Sequence, residues 1–206
     1  WDHIQGFPFF APAFVAGNAI HMYGGAPVWG TLESVMAGQM EFPNFPVKLD
    51  QLSSNLVFHD IKPGAALEPA PGVRVTTAAG FHPGGVVAYR VDYDGRSLAY
   101  MTDTEYGTDA DRGLEALAKG VDVLIYDCMY TPEEYRGEGS ISKKGWGHST
   151  YEGGVAVAKA AGAKQLVLFH HDPDQSDDDV RAKEARTKAL FPAATAAREG
   201  LSIDIG

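Results

Sequence analysis

The spacing of apolar and polar residues changes character along the chain. Up to about residue 50 the apolar positions are largely aromatic and broken by glycine and proline. The run Phe7-Pro8-Phe9-Phe10-Ala11-Pro12 cannot continue as a long regular helix, because its prolines remove backbone donors, and it reads as a short helix or a packed loop. Residues 19–23 read as a short buried strand stopped by Gly24-Gly25. Residues 27–40 read as a helix with Val28, Leu32, Val35 and Met36 near one face. From about residue 55, short segments rich in β-branched and aromatic residues predict strands at 55–61, 73–79, 86–93 and 97–102. Tyr93-Asp94-Gly95-Arg96 places an Asp-Gly pair between the last two, a strong hairpin signal. Thereafter strands and helices alternate: helix 109–119, buried strand 121–127, helix 150–161, buried strand 165–169, helices 177–190 and 193–199, and a last strand 201–205. Hairpins followed by such alternation predict an α/β fold, sheet inside and helices outside, with all 206 residues in a single domain.

Composition narrows the class of partner. Seventeen basic residues against 27 acidic ones leave a net charge of −10. A chain so acidic repels phosphate backbones, so no long nucleic acid is expected as a partner. No apolar run reaches the roughly 18 residues of a spanning helix, so no membrane is expected either. The single cysteine, Cys128, excludes an internal disulfide and a cysteine-based zinc finger, and is read as a small core residue on a buried strand. A reducing, cytoplasmic setting is the expectation from that usage. The first residue is Trp1, and the dense chemistry of Trp1-Asp2-His3-Ile4 leads us to expect a chain that is cut at its start.

The candidate chemistry lies in the histidines and the acids near them. His82 follows the strand 73–79 in Phe81-His82-Pro83-Gly84-Gly85. Asp103 follows the strand 97–102, with Glu105 beside it. His148 lies in Gly147-His148-Ser149-Thr150, just before a helix, and His170 ends the strand 165–169. Strand ends on one rim of a sheet can converge, and imidazole nitrogen with carboxylate oxygen suits zinc, iron or manganese. Metals held that way lower the pKa of a bound water and make a nucleophile of it. Other readings stay open: Asp103 as the cap of the helix near 108, His82 as a turn residue, and Asp2-His3 as a frayed stub.

Taken in order, these residues resemble the metallo-β-lactamase superfamily. Trp1-Asp2-His3-Ile4-Gln5-Gly6 is similar to the second half of its HxHxDH signature, and His82, Asp103 and His170 follow in the family's sequence and setting. The resemblance implies an αββα sandwich lacking part of its N-terminal half, because the HxH pair and its strands would lie upstream of Trp1. It implies that Asp2, His3 and His170 bind the second metal, that Asp103 bridges, and that His82 belongs to the first. Two divalent ions are implied for the intact enzyme, zinc first and iron or manganese as alternatives, with one for this chain as it stands. The Gly-His-Ser-Thr run followed by a helix and Leu166-Val167-Leu168-Phe169-His170 resembles the ribonuclease Z-like, phosphodiesterase-type branch. That implies a metal-dependent hydrolase of phosphodiester bonds acting on a small anionic substrate. Asp2 would orient the water and His148 would support the leaving oxygen. The alternatives are a lactone, thioester or β-lactam hydrolase of the same fold, or an inactive fragment. A homodimer is one admissible assembly.

The remaining residues carry double readings. Asp127 either hydrogen-bonds a ligand histidine or satisfies local backbone donors. His171 is a candidate outer partner of the ligands. His21 is expected to be a satisfied buried histidine, and no role is assigned to His59. Lys143-Lys144, with Arg136 nearby, either attract an anionic substrate or form a solvated loop. The acidic run 172–179 reads as a solvated helix start. Phe7, Phe9, Phe10 and Phe14 are expected to wall the site or pack beneath it.

Overall fold

The computed structural model describes residues 3–25 and 30–205. Its contacts divide into two units, Trp1–Lys62 and Pro63–Gly206. The larger is built on seven strands that pair in their order along the chain: β3 (Ala66–Ala70), β4 (Val73–Ala79), β5 (Val87–Tyr93), β6 (Arg96–Met101), β7 (Val123–Asp127), β8 (Gln165–Phe169) and β9 (Ala194–Ala196). The first four are joined antiparallel and the last four parallel. The turn between β5 and β6 is the expected Asp-Gly pair. Asp94 and Gly95 both have positive φ, 47° and 73°, and Tyr93 pairs with Arg96 across it. That backbone matches the twist of the flanking strands, which is why the pair favours a hairpin. Parallel neighbours need crossovers, supplied by α2 (Asp111–Leu117) between β6 and β7, by α3 (Pro132–Arg136) and α4 (Tyr151–Ala161) between β7 and β8, and by α5 (Asp177–Leu190) between β8 and β9.

Period-two alternation explains the core. Ala99, Leu124, Leu166 and Ala194 lie in one cross-strand row, and Met101, Tyr126, Leu168 and Ala196 in the row two residues on. All eight are buried and belong to one cluster with Leu114 of α2, with Ala118 just after that helix, and with Tyr151, Val155 and Ala158 of α4. Leu124 is fully buried at its centre. Leu124→Ala is expected to cost about 2–5 kcal/mol, from lost transfer energy plus a residual cavity. Urea unfolding measures this, and a cost near zero would place Leu124 outside the core.

The register also builds a rim. Met101 is level with Tyr126, and Asp127 with Phe169, so the C-terminal ends of β6, β7 and β8 lie side by side. β4 is antiparallel to β5, as β6 is, so β4 ends on that rim too. Asp127 is the last residue of β7, and the segments that follow the other three ends carry His82, Asp103 and His170. Ligands of open α/β sheets gather at such carboxyl ends.

The smaller unit holds a parallel pair, β1 (Ala19–Gly25) and β2 (Asn55–Ile61), linked through α1 (Leu32–Gln39). Thr31 caps α1 by accepting from the Ser34 N–H. Ala13, Met40 and Leu52 form its small core, joined by Phe7, Ile20 and Leu56.

The α/β class stands as the pattern predicts, with local departures. The helix expected over 193–199 is instead β9, because its Ala-Thr-Ala backbone pairs with β8 and that pairing overrides alanine's helical preference. Residues 201–205 form no strand. The helix expected from 27 starts at Leu32, with 26–29 outside the described residues. β3 and α3 were not expected. β3 contains Pro69 and lies at the sheet edge, where a missing donor is tolerated. α3 is a five-residue turn opened by Thr131 and Pro132. His21 is exposed rather than buried, its Nδ1 lying 2.9 Å from His59 Nε2 on the neighbouring strand. Of the four phenylalanines only Phe7 joins a core, and Phe9 is 77% exposed. Cys128 is buried, and the acidic run opens α5 with Ser176 as its N-cap, both as expected.

Candidate metal centre

Two rim residues stand out by backbone alone. Among the described residues, three non-glycine positions have positive φ: Asp94 in the hairpin turn, Asp103 at 55° and His170 at 59°. A left-handed backbone costs an ordinary residue about 1–2 kcal/mol. It persists where surroundings dictate it, and such strain clusters at functional sites. Here it turns both side chains off the ends of β6 and β8. His170 Nε2 lies 3.5 Å from Asp103 Oδ1, and its Nδ1 lies 3.7 Å from Asp127 Oδ2.

His148 completes the group. Its ring stacks on that of His170 at 4.9 Å and meets the His82 ring edge-on at 5.4 Å. Donor atoms of His82, Asp103 and His148 lie within 4.8 Å of one another, as do those of Asp127, His148 and His170. Each trio sets nitrogen and oxygen donors close enough together to share an ion, and that donor chemistry suits zinc, iron or manganese. The donor chemistry therefore fits a divalent cation.

Asp127 decides how His148 is used. Its carboxylate is fully buried at the end of β7. Oδ2 accepts from His148 Nδ1–H at 2.9 Å, and Oδ1 accepts from the Ser149 and Met129 N–H groups at 3.1 Å each. Asp127 thus satisfies backbone donors, as one of its two readings had it, and the histidine that it orients is His148. Nδ1 is committed to Asp127, so proton transfer by this ring would run through Nε2. Thr150 then caps α4, accepting from the Gly153 N–H. The strand-end acid and the downstream histidine were both legible in the sequence, but their pairing across 21 residues was not.

His82 comes from the turn after β4. Burial, and then the neighbouring His148 ring, draw its imidazole below its ordinary pKa. Gly147 packs against it with φ of 89°, and a Cβ there would overlap the His82 ring, so the site requires glycine. Asp103 does not cap α2, whose N-cap is Ala110.

The other candidates are distributed as follows. Asp2 lies outside the described residues. His3 lies in the smaller unit, exposed. His171 meets the Ala197 carbonyl through Nε2 at 3.2 Å, and burial lowers its pKa. Arg136 is paired with Glu138 at 2.7 Å. Lys143 Nζ lies 4.3 Å from the Trp146 ring centre and 5.9 Å from that of Tyr130, whose ring is 6.3 Å from His148. Burial, and then Asp172, push the Tyr130 hydroxyl up to about 12.

Comparison with known proteins identifies the family and the fold. Residues 1–171 match the model of the beta-lactamase superfamily domain. Ribonuclease Z of Synechococcus sp. (strain WH7803) is 34% identical over 114 residues, which cover 54% of this chain and 32% of that protein. The chain thus spans about a third of the length of the curated relatives it matches. Among solved structures, human tRNase Z, short form, superposes with a TM-score of 0.66 at 21% identity, covering 93% of this chain and 69% of that one. Zn(2+)-bound PqqB from Methylobacterium extorquens gives 0.63 at 20% identity, covering 90% and 65%. At these identities the structural likeness is one of fold. No helix among the described residues is long and apolar enough to cross a membrane.

Proposed function

Because the chain belongs to the metallo-β-lactamase superfamily, in its ribonuclease Z-like branch, we propose that it is a metal-dependent hydrolase of phosphodiester bonds with a small anionic substrate. The observation that carries this reading is the His148–Asp127 pair. It holds an oriented imidazole against the His170 ring, and such an imidazole can serve a leaving oxygen as proton donor.

His82, Asp103 and His170 are the residues of the larger unit that would hold metal. The relative PqqB carries zinc, which makes zinc the first ion to test, ahead of iron and manganese. When bound, a divalent cation supplies water activation and Lewis-acid stabilisation of developing charge. The rest is the work of side chains. Asp127 holds the His148 ring and fixes its tautomer. His148 Nε2, once protonated, delivers that proton to the departing oxygen. Lys143, beside Trp146, offers a positive charge to the anionic substrate. The net charge of −10 disfavours a long polyanion, so a small phosphodiester is the substrate class.

The test is a substrate comparison on the protein loaded with zinc, and separately with manganese. Bis(p-nitrophenyl) phosphate and nucleoside cyclic phosphates are set against a lactone, a thioester and a β-lactam. Turnover of the phosphodiesters alone is expected. Turnover confined to the carbonyl substrates would overturn the reading.

A further inference from the structure

Glu105 is a buried carboxylate, 3% exposed, that joins neither ligand group. Its two oxygens take three donors. Oε1 accepts from the Tyr135 hydroxyl at 2.6 Å and from the Gly145 N–H at 2.9 Å, and Oε2 accepts from the Gly147 N–H at 3.0 Å. Its own N–H donates to the Phe81 carbonyl at 3.0 Å, next to His82. One residue therefore touches three segments: the turn that carries His82, helix α3 through Tyr135, and the loop 143–147 that leads into His148.

That loop has little else to define it. It belongs to no helix or strand, and its other backbone donors are Lys143 N–H to the Tyr135 carbonyl, Lys144 N–H to the Ser142 Oγ and Trp146 N–H to the Lys143 carbonyl. Yet it presents Lys143 and Trp146, backs Gly147 against the His82 ring, and ends on His148. Fixing both the Gly145 and the Gly147 N–H fixes the path of the chain immediately before that histidine. Asp127 orients the His148 ring from one side, but it does not touch the loop that delivers it.

We propose that Glu105 is a positioning residue: its carboxylate hooks the 143–147 loop to the strand end bearing Asp103 and so sets where His148 stands. The claim about His148 in turnover rests on the phosphodiester reading above; the claim about the loop does not. Only a carboxylate serves. Three donors converge on two acceptor atoms, and an amide in the same shape would turn an NH2 group toward a backbone N–H. Glu105→Gln is therefore a disruptive change despite its matched size, and Tyr135→Phe is the mild control, removing one donor and leaving both backbone bonds.

The experiment uses the full chain loaded with zinc and compares the parent with Glu105→Gln, Tyr135→Phe, His148→Ala and the Glu105→Gln/His148→Ala double variant. Amide hydrogen exchange at Gly145 and Gly147 reads the loop directly and needs no activity. About tenfold faster exchange is expected in Glu105→Gln and a smaller change in Tyr135→Phe. Zinc content should be unchanged. With a phosphodiester whose leaving group is a poor one, kcat should fall about 10- to 100-fold in Glu105→Gln with little change in KM, and much less with p-nitrophenolate leaving, because only the poor leaving group needs a proton. In the His148→Ala background, Glu105→Gln should cost nothing further. Unchanged exchange at the two glycines would overturn the loop claim. An equal loss with and without His148 would overturn the claim that Glu105 acts through it. A parent with no phosphodiester turnover would sink the functional reading alone, leaving exchange to decide on the loop. Should Glu105→Gln fail to fold, Tyr135→Phe carries the same exchange test, and identical exchange to the parent would count against the hook.

Discussion

His148→Ala is expected to lower phosphodiester turnover by about 10²- to 10⁴-fold, the range a positioned general acid contributes. Zinc content should stay level with the parent, because the proposed reading gives Nε2 of this histidine to the leaving oxygen and the ligand role to His82, Asp103 and His170. The loss should shrink as the leaving group improves, since a stable anion departs without a proton. Asp127→Asn should reproduce part of it. With its NH2 toward Nδ1 the amide favours the wrong tautomer, and with its oxygen there it loses the bonds to the Ser149 and Met129 N–H groups. Steady-state kinetics on two phosphodiesters of unequal leaving group, together with elemental analysis, make the measurement. A His148→Ala protein that loses its zinc but not its rate per zinc would make this residue a ligand and return the leaving-group role to solvent.

The second large effect concerns the strained acid. Asp103→Asn is expected to weaken zinc binding by more than about 100-fold, beyond what losing an outer hydrogen-bond partner costs a site. The variant is chosen for its backbone. Asp103 has φ of 55°, and asparagine tolerates that region better than most residues, so the fold should survive while the charge is lost. Dialysis followed by elemental analysis gives occupancy, and a thermal melt without metal checks the fold. Retained zinc with an unchanged melt would remove Asp103 from the ligand set. His170→Ala should weaken zinc binding in the same direction, because its Nε2 faces the same carboxylate at 3.5 Å.

Much of the rim was legible in the linear sequence because the signals are local. A β-branched run, an Asp-Gly pair and a histidine directly after a strand each depend on a few adjacent residues. His82, Asp103 and His170 could be picked out as strand-end residues, and the larger unit does bring them to one edge. Glu105 and Asp127 were harder to read. An acid near a strand end has many uses, and nothing nearby in sequence says that one carboxylate will meet Gly147 and the other His148. Those pairs span 42 and 21 residues. They exist because parallel, in-register strands bring their C-terminal ends together.

The amino-acid order by itself determined the alternation of strand and helix, the β5–β6 hairpin and the chemical kind of the site. Periodicity, turn backbone and donor type are properties of short segments. Tertiary structure decided what depends on a distant partner. Residues 194–196 became a strand because β8 offers unpaired backbone groups, against the helical preference of alanine. His21 found a partner in His59 on the adjacent strand rather than a place in a core. Asp127 became the support of His148 because burial makes an unpaired carboxylate costly and the fold sets an imidazole and two N–H groups around it. A residue's type states which bonds it can make; only the packed chain states which groups are there to make them.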